Sequence, residues 1–379
     1  MNLDMLSYDV AIIGAGMAGL ACARTLEERG VNFVLIAPNI GGDVRADHGA
    51  NMGAYLLTPS AQKLIPSMKA EKRVWLGNTI FWGDTVQPIY KRALSPHLLS
   101  LYKKLRHFRK QFLQFQQDEA QIGLISALSR SPDLQGLQRV AFVDYAGDAF
   151  SVAERLLLSV AVDPVVRMCT LAEPAELSAF EYLHVAMHID IPVHTFIFDA
   201  DTFIQPFAER YIKESVTAVE HTSCGWRITT QHGECVTANS LVAANGAHHS
   251  PHLFAELPVS DTRFASCILF HVRGTIRSQF SGQLHVFPVG HPVYFLQDQG
   301  DGTVIIALKD DGDSYENFVR VEEVLSKATW KKAFPIGPRE WTNPKISENL
   351  YILNDRNIVG IEDSYRSGLW VGRALVDSR

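Results

Sequence analysis

The sequence predicts an α/β protein of two domains, and three observations support this prediction. The chain has 379 residues, more than a single hydrophobic core usually serves. It opens with a short β-branched run that leads through a glycine-rich turn into a segment of helical periodicity. Residues 69–194 are mostly helical in pattern, while residues 264–308 favour strands. We therefore expect a domain with parallel strands and a second, mixed α+β domain with an antiparallel sheet and helices.

The composition is that of an ordinary globular protein, with 47% hydrophobic and 20% charged residues. The sequence lacks an apolar run of about 18 residues, the length that crosses a bilayer, and its start lacks the pattern of a signal peptide. Five scattered cysteines without a CxxC pair indicate reduced thiols, and a net charge of −6 gives no general reason to expect nucleic acid. We expect a cytoplasmic protein without a metal site, whose oligomeric state stays open.

Residues 8–36 have the pattern of a strand, a helix and a second strand. Gly14, Gly16 and Gly19 form a G-x-G-x-x-G motif at the strand-to-helix turn, which predicts a Rossmann-like dinucleotide-binding unit. Gly14 permits the turn, Gly16 lets backbone amides approach a pyrophosphate, and Gly19 lets the helix pack on the strand. The N-terminus of the helix then presents unpaired N–H groups to the phosphates. The strands cover residues 8–13 and 31–36, and the helix covers residues 20–29.

One expected group is absent from this unit. A carboxylate that holds the ribose hydroxyls usually lies about 20 residues after the second glycine. Ile36 occupies that position, and Ala37, Pro38 and Asn39 follow. Either Asn39 replaces the carboxylate, or backbone groups and water hold the ribose.

A glycine pair follows the second strand. Gly41, Gly42 and Arg45 form a stretch that resembles the GG-x-x-R segment of the amine oxidase and phytoene desaturase superfamily of FAD enzymes. In that superfamily the segment runs beneath the pyrophosphate, and its arginines contact phosphate or flavin. The resemblance implies this role for Arg45, whereas Asp43 replaces the family's first arginine. Residues 48–53 resemble the family's next segment, which passes the flavin ring.

The C-terminal residues resemble the same family. There a strand ends in Gly-Asp, and a helix begins with I-E-G-A-x-x-S-G; here residues 349–353 are the strand and residues 360–368 match the helix start. The resemblance implies that Asp355 contacts the ribityl chain or phosphate, and that the N-terminus of the helix points at the flavin pyrimidine. That helix end suits the negative charge that builds on flavin when it accepts a hydride. The matching residues are Asp355, Ile361, Glu362, Ser367 and Gly368, and Asn354 and Asp363 replace glycines.

A third resemblance lies in the middle of the chain. Residues 215–230 alternate like a pair of strands, and residues 240–247 resemble the family's strand that ends in A-x-G beside the nucleotide. The family places a valine against the adenine here. The resemblance therefore implies adenine contact for Val216 or Val219 and places Gly246 beside the nucleotide.

The resemblance implies a discontinuous FAD-binding domain of residues 1–70, 195–255 and 345–379. Residues 71–194 and 256–344 would form the substrate domain. The SGGC segment that carries covalent flavin in monoamine oxidases is absent, so we expect non-covalent FAD. A shared fold does not identify the substrate or the electron acceptor.

Outside the cofactor segments, the most regular pattern is an amphipathic helix over residues 97–116. We interpret its basic side as a solvated face, with peripheral contact to a membrane or an acidic partner as the alternative. Histidines cluster within residues 184–194 and 248–252 without zinc-site spacing, which favours active-site or packing roles. Lys309 follows a strand at residues 303–308. Because many amine oxidases hold a water near flavin N5 with a lysine, Lys309 is our candidate catalytic residue.

The sequence thus favours an FAD-dependent oxidoreductase that removes a hydride from a C–N or C–C bond of a small or hydrophobic substrate, as amine oxidases do. A desaturase or isomerase of a lipophilic substrate is the alternative among enzymes, and 20 phenylalanines and the basic helix suit it. A third hypothesis is a flavin-binding partner protein without redox catalysis. It rests on the departures from the family pattern at Ile36, Asp43, Asn354 and Asp363.

Overall fold

A computed structural model describes most of the chain. The candidate residues Gly246 and Asp355, together with Asn354 and the histidines of residues 248–252, lie outside the described residues. The described residues are 6–54, 56–75, 79–82, 85–88, 96–189, 191–245, 253, 262–277, 284–310, 312, 315–353, 357 and 359–378.

The described residues form twenty strands and eleven α-helices. The strands are β1 (Leu6–Gly16), β2 (Phe33–Gly41), β3 (Ala46–Asp47), β4 (Ala50–Asn51), β5 (Leu56–Leu57), β6 (Ala70–Trp75), β7 (Thr79–Trp82), β8 (Thr85–Pro88), β9 (Pro192–Phe196), β10 (Tyr211–Ile212), β11 (Val216–Thr222), β12 (Gly225–Thr230), β13 (Cys235–Ala243), β14 (Arg263–Ile276), β15 (Leu284–Val286), β16 (Val293–Asp298), β17 (Thr303–Leu308), β18 (Val319–Ile336), β19 (Lys345–Ser347) and β20 (Leu350–Ile352). The α-helices are α1 (Met17–Glu28), α2 (Pro59–Leu64), α3 (Pro96–Ile122), α4 (Leu124–Arg130), α5 (Pro132–Leu137), α6 (Phe142–Ala149), α7 (Val152–Leu157), α8 (Asp163–Thr170), α9 (Ala179–Ala186), α10 (Ala200–Ile204) and α11 (Ile361–Asp377).

The first sheet has eight strands in the order β10-β2-β1-β13-β12-β11, and β20 and β19 continue from the end of β13. Strands β10, β2, β1, β13 and β20 are parallel, whereas β11, β12 and β13 form an antiparallel meander. Helices α1 and α11 cover one face of the parallel strands, and the meander covers the other. Because both faces are covered, the strands are apolar throughout rather than alternating. This arrangement confirms the predicted Rossmann-like unit.

The second sheet has seven strands in the order β18-β14-β17-β16-β15-β7-β8. Its pairings are antiparallel except for the parallel pair β15 and β7. Helices α3 to α9 pack around a core of their own that also includes Ala265 and Phe334 of this sheet. The predicted fold class, a Rossmann-like domain with a second domain of antiparallel sheet and helices, is therefore confirmed.

The prediction that residues 69–194 are mostly helical was wrong for the first part of this segment. Residues 70–88 include the strands β6, β7 and β8; β6 pairs with β9, β7 pairs with β15, and β8 pairs with β7. The segment Thr79–Trp82 is rich in β-branched and aromatic residues, which suit a strand. Its partner β15 lies far along the chain, and helical periodicity does not report such a pairing. Within the described residues, no helix is long and apolar enough to cross a membrane.

The amphipathic helix was predicted over residues 97–116 and extends further, over Pro96–Ile122. The spacing of apolar residues predicts Tyr102 on the buried side of this helix, but Tyr102 is exposed. The same spacing predicts Arg109 on the basic side, where it donates to the backbone carbonyl of Met187 at 2.9 Å. The buried stripe consists of Leu101, Leu105, Phe108, Phe112, Phe115, Gln116 and Glu119.

Candidate functional site

The turn between β1 and α1 admits only glycine at two of its three glycine positions. Gly14 has φ +107°, and a Cβ at this position would lie 2.6 Å from the carbonyl carbon of Ala244. A Cβ at Gly19 would lie 1.9 Å from the carbonyl oxygen of Gly14. Gly14 therefore lets β1 pass the end of β13, and Gly19 lets α1 approach the turn closely.

Gly16 has different surroundings. Within the part of the chain that the structure describes, no heavy atom lies within 4 Å of a Cβ built on Gly16. Gly16 is the N-cap residue of α1, and no described side chain caps the helix. The N–H groups of the first turn are therefore left for an anion, in an open space. A dinucleotide pyrophosphate fits this cradle, and a side chain at position 16 would enter it.

The glycine pair lies directly against this cradle. Gly41 and Gly42 have φ +104° and +56°, a region that favours glycine. Strand β2 pairs Gly41 with Gly16, and a Cβ at Gly42 would lie 3.1 Å from the Cα of Gly16. A Cβ at Gly41 would lie 2.7 Å from the ring of Phe198. The two glycine segments that the sequence singled out therefore meet at the same point.

Arg45 lies at the boundary between the two domains. Its side chain is exposed, and the guanidinium carbon lies 5.1 Å from the ring centroid of Trp330 on β18. The indole of Trp330 donates to the carbonyl oxygen of Met52 at 2.8 Å. A Cβ at Gly53 would lie 2.0 Å from the carbonyl oxygen of Asp43, so this segment folds tightly on itself. Among the described residues no carboxylate forms an ion pair with Arg45, which leaves its charge available for an anion.

The candidates for contact with the adenosine half lie on β2 and β11. Ile36 is fully buried beneath the meander, so its position cannot present a carboxylate to a sugar. Asn39 is exposed near the end of the strand. Val216 and Val219, on β11, are half-buried and pack against the core that contains Ile36. Asn39 is therefore exposed where a polar group could replace the absent carboxylate, and its role stays a prediction.

Helices α1 and α11 pack closely and run in the same direction. A Cβ at Gly368 would lie 2.1 Å from the carbonyl oxygen of Ala18, and a Cβ at Gly372 would lie 2.6 Å from the Cβ of Thr25. Ile361 packs half-buried against the core beneath α1. The N-termini of both helices are therefore directed to the same end of the sheet.

The carboxylate of Glu362 accepts hydrogen bonds that connect α11 to the start of α2. Its Oε2 accepts hydrogen bonds from Ser60 at 2.6 Å and from Thr58 at 3.2 Å. Its Oε1 accepts from Arg366 at 2.8 Å. Both carboxylate oxygens therefore have protein donors, and the side chain positions the start of α11.

A buried polar cluster lies at the start of α11, and sequence analysis did not identify it as a unit. Asp363 Oδ1 accepts from Gln116 Nε2 at 2.9 Å, and Asp363 Oδ2 lies 3.4 Å from His184 Nε2. Glu119 is 5% exposed, and its Oε2 has no hydrogen-bond partner among the described residues. The available signal was that Gln116 and Glu119 continue the buried stripe of α3, where polar residues are uncommon.

Burial governs protonation in this cluster. Desolvation, helped by the nearby Asp363 carboxylate, raises the pKa of Glu119 to about 8. Desolvation also raises the pKa of Asp363, although His184 opposes the shift. Desolvation lowers the pKa of His188 to about 3, with help from His184 and Arg109. Glu119 and His188 are therefore neutral near pH 7.

Lys309 lies just after β17 and is half-exposed. Its ammonium lies 3.9 Å from Oε1 of Glu173, and the same oxygen lies 2.8 Å from Nε of buried Arg167. Strand β14 lies between β17, which Lys309 follows, and β18, which carries Trp330. Two strand spacings of about 5 Å each therefore separate the strands of these two residues. Lys309 thus lies on the sheet that contacts Arg45, but within an ion-pair cluster of its own.

A family model described as FAD dependent oxidoreductase matches residues 9–339 of the chain. No curated protein matches it. Among solved structures, putrescine oxidase with bound putrescine is 15% identical, with a TM-score of 0.66 over 98% of this chain and 100% of that one. Cyclohexylamine oxidase from Brevibacterium oxydans IH-35A is 15% identical, with a TM-score of 0.65 over 98% of each chain. A fatty acid isomerase from P. acnes is 13% identical, with a TM-score of 0.66 over 96% of this chain and 97% of that one. At these identities the likeness to the solved structures is one of fold.

Proposed function

Because the chain belongs to the FAD-dependent oxidoreductase family, we propose that it removes a hydride from the C–N bond of a small or hydrophobic amine. The observation that carries this proposal is the meeting of Gly16 and Gly42 in front of α1, with α11 running parallel beside it. This arrangement suits a dinucleotide whose flavin reaches the boundary with the second domain. The amine oxidase folds among the similar structures support a C–N bond as the target.

Bound FAD would supply the two-electron chemistry, and the protein would supply binding and electrostatics. The first turn of α1 would hold the pyrophosphate through backbone N–H groups. Arg45 would neutralise a phosphate or flavin charge with a planar guanidinium fork. The N-terminus of α11 would face the pyrimidine edge, where negative charge grows during hydride transfer. Lys309 remains the candidate for holding a water near the reacting bond.

The decisive experiment is an absorption spectrum of the purified protein, followed by anaerobic addition of primary and secondary amines. We expect a flavin spectrum that bleaches with an amine and returns with O2, with release of peroxide. Lys309→Met should slow the bleaching without loss of flavin, and Lys331→Met on β18 serves as the control. A protein that stays colourless with added FAD would refute the proposal, and one that binds FAD but ignores every amine would limit it to the family level.

We expect FAD to be held without a covalent bond. The five cysteines are Cys22, Cys169, Cys224, Cys235 and Cys267, and none belongs to the C-terminal stretch near α11. Burial raises the pKa of Cys22 to about 12, so this thiol is an inert core group. Precipitation with acid should therefore release all of the flavin into the supernatant.

A desaturase or isomerase of a lipophilic substrate is the second candidate, and the surface of α3 and α7 favours it. Leu99, Val152 and Leu156 are 57%, 75% and 66% exposed. Lys104 joins the two helices through Glu154 at 2.8 Å, and α3 carries further exposed basic residues at Lys103, Arg106 and Lys110. Such a surface suits peripheral contact with anionic lipid. Activity that requires anionic vesicles, and that Leu156→Glu abolishes, would favour this candidate over amine oxidation.

A further inference from the structure

The start of α11 carries an acid–base pair where the related family has glycine. Asp363 lies in the first turn and is 5% exposed. Its two oxygens meet Gln116 from α3 at 2.9 Å and His184 from α9 at 3.4 Å. A carboxylate buried in this way needs compensation, and His184 supplies the nearest group that can hold a proton.

The pair flanks the residue at which α11 begins. A Cβ built on the N-cap residue Gly360 would lie 3.1 Å from Asp363 Oδ2 and 3.9 Å from Cε1 of His184. The inference rests on the proposed function, in which this end of α11 faces the flavin pyrimidine. Two buried polar atoms beside the pair, Glu119 Oε2 and His188 Nδ1, have no hydrogen-bond partner among the described residues. Buried polar atoms at this location thus have unused hydrogen-bonding capacity, which a bound ligand can fill.

The other titratable and charged groups around the pair are held by burial or by partners of their own. On α3, Glu119 is protonated near pH 7 and Arg109 donates to a backbone carbonyl. On α9, His188 is neutral. On α11, Glu362 and Arg366 form an ion pair at 2.8 Å. His184 and Asp363 are the two titratable groups that face each other directly at this end of α11.

We propose that His184 and Asp363 form a proton-holding pair that takes up one proton from solvent when the neighbouring flavin is reduced. Oxidised flavin accepts two electrons and one proton and gains one negative charge. Before reduction the pair holds one proton and has no net charge. After it takes up a proton from solvent it holds two, as a neutral carboxyl beside an imidazolium, and has a net charge of +1. Its added positive charge balances the charge on the flavin, at the helix end that already favours an anion.

The test is the reduction potential of the bound flavin as a function of pH, measured against reference dyes. For a two-electron couple, each proton taken up contributes about 30 mV per pH unit. We expect a slope of about 60 mV per pH unit for the wild type, because two protons are taken up with the two electrons. Asp363→Asn and His184→Gln should each reduce the slope to about 30 mV per pH unit, because one proton is then lost from the reaction.

Asp163→Asn is the matched control. Asp163 is another buried carboxyl with a raised pKa, about 6 owing to desolvation, and it accepts from Tyr182 at 2.5 Å. Tyr182 and His184 are two positions apart on α9 and therefore project to opposite sides of the helix. This variant should keep the wild-type slope.

The outcomes separate the pair from the proposed function. A flavin-containing protein whose wild type and pair variants share one slope overturns the proton-holding pair and leaves a structural contact between α11, α9 and α3. A protein that never binds FAD overturns the proposed function instead. If one of the two pair variants does not fold, the slope of the other variant tests the proposal. Each substitution removes one member of the pair, Asp363 on α11 or His184 on α9.

Discussion

Single residues at this site fall into two kinds, those required by the backbone and those available to a ligand. Gly14 and Gly19 belong to the first kind, because any side chain would overlap neighbouring backbone. Gly16 and Arg45 belong to the second, because the space beside Gly16 is open and the charge of Arg45 has no carboxylate partner among the described residues. The distinction can be tested, since the first kind affects folding and the second affects binding.

Arg45→Ala should weaken FAD binding by about 1.5–3 kcal/mol, the usual cost of losing a hydrogen bond to a charged group. Arg45→Lys should recover only part of this loss, because a lysine cannot reproduce the planar fork or its stacking on Trp330. Titration of apo-protein with FAD measures both effects. Arg273→Ala on β14, where Arg273 forms an exposed ion pair with Glu323 of β18, is the control. Equal affinities for wild type and Arg45→Ala would show that this residue does not contact the cofactor.

Glu119 predicts a dependence of stability on pH. Its pKa is raised from 4.5 to about 8, so the folded protein binds this proton more tightly than the unfolded chain does. The resulting contribution to the free energy of unfolding is complete below pH 4.5 and is lost as the pH rises to about 8. Glu119→Gln removes this dependence and should be the more stable protein above pH 8, by a few kcal/mol, at about 1.4 kcal/mol per pKa unit.

Urea unfolding at several pH values checks this prediction. Glu209→Gln, at an exposed position, should follow the wild type throughout. A constant difference in stability between Glu119→Gln and the wild type at every pH would contradict a raised pKa at this residue.

At the scale of elements, the contact between α1 and α11 determines where the N-termini of these two helices lie. Glycines on α11 bring the backbones together at Ala18 and Thr25. The same contact sets the distance of the α11 N-terminus from the phosphate cradle. A change in helix packing should therefore alter stability and cofactor affinity together.

Gly368→Ala should destabilise the protein by about 1–3 kcal/mol, since its methyl group would overlap the carbonyl of Ala18 and force the helices apart. FAD affinity should fall as well. Gly147→Ala is a matched control within α6, where the added Cβ meets no described atom within 4 Å. That change should be neutral or stabilise by up to about 1 kcal/mol through helix propensity. Equal thermal stability of the two variants would contradict a close α1–α11 contact.

At the scale of the whole molecule, the segment after the glycine pair and the start of α11 also join the two domains. Trp330 of the second sheet donates to the carbonyl oxygen of Met52, which lies in the segment after the glycine pair. At the other end, Asp363 of α11 accepts from Gln116 of the helical domain. A ligand bound against these segments contacts both domains, so its binding should stabilise the chain as a unit.

FAD should raise the free energy of unfolding by about 2.7 kcal/mol at a free concentration of a hundred times its Kd. Gly16→Ala should leave the apo-protein as stable as the wild type, because the added Cβ meets no described atom within 4 Å. It should nevertheless lose most of the stabilisation by FAD, because the methyl group enters the phosphate cradle. Calorimetry with and without FAD measures both quantities, and a Gly16→Ala protein that is stabilised as strongly as the wild type would place the phosphates elsewhere.

The sequence by itself determined the family, the fold class and the glycine-rich turn between β1 and α1. The family and the oxidoreductase assignment are confirmed by the match over residues 9–339. These features could be predicted because strand, turn and helix follow one another within a few tens of residues. Helices and strands also differ in the spacing of their hydrophobic residues. The roles of Asn39, Val216 and Lys309 stay predictions.

Only the tertiary structure decided how the acid–base cluster at α11 is assembled. Gln116 and Asp363 are 247 positions apart, and their contact depends on how α3 packs against α11. In the sequence, Gln116 and Glu119 are two polar residues in an otherwise apolar stripe, and Asp363 is one departure from a family motif. The same limit applies to residues 70–88, whose strands are stabilised by pairing with β9 and β15. Periodicity reports which side of an element is buried, but the partner that buries it is set by the packing of distant segments.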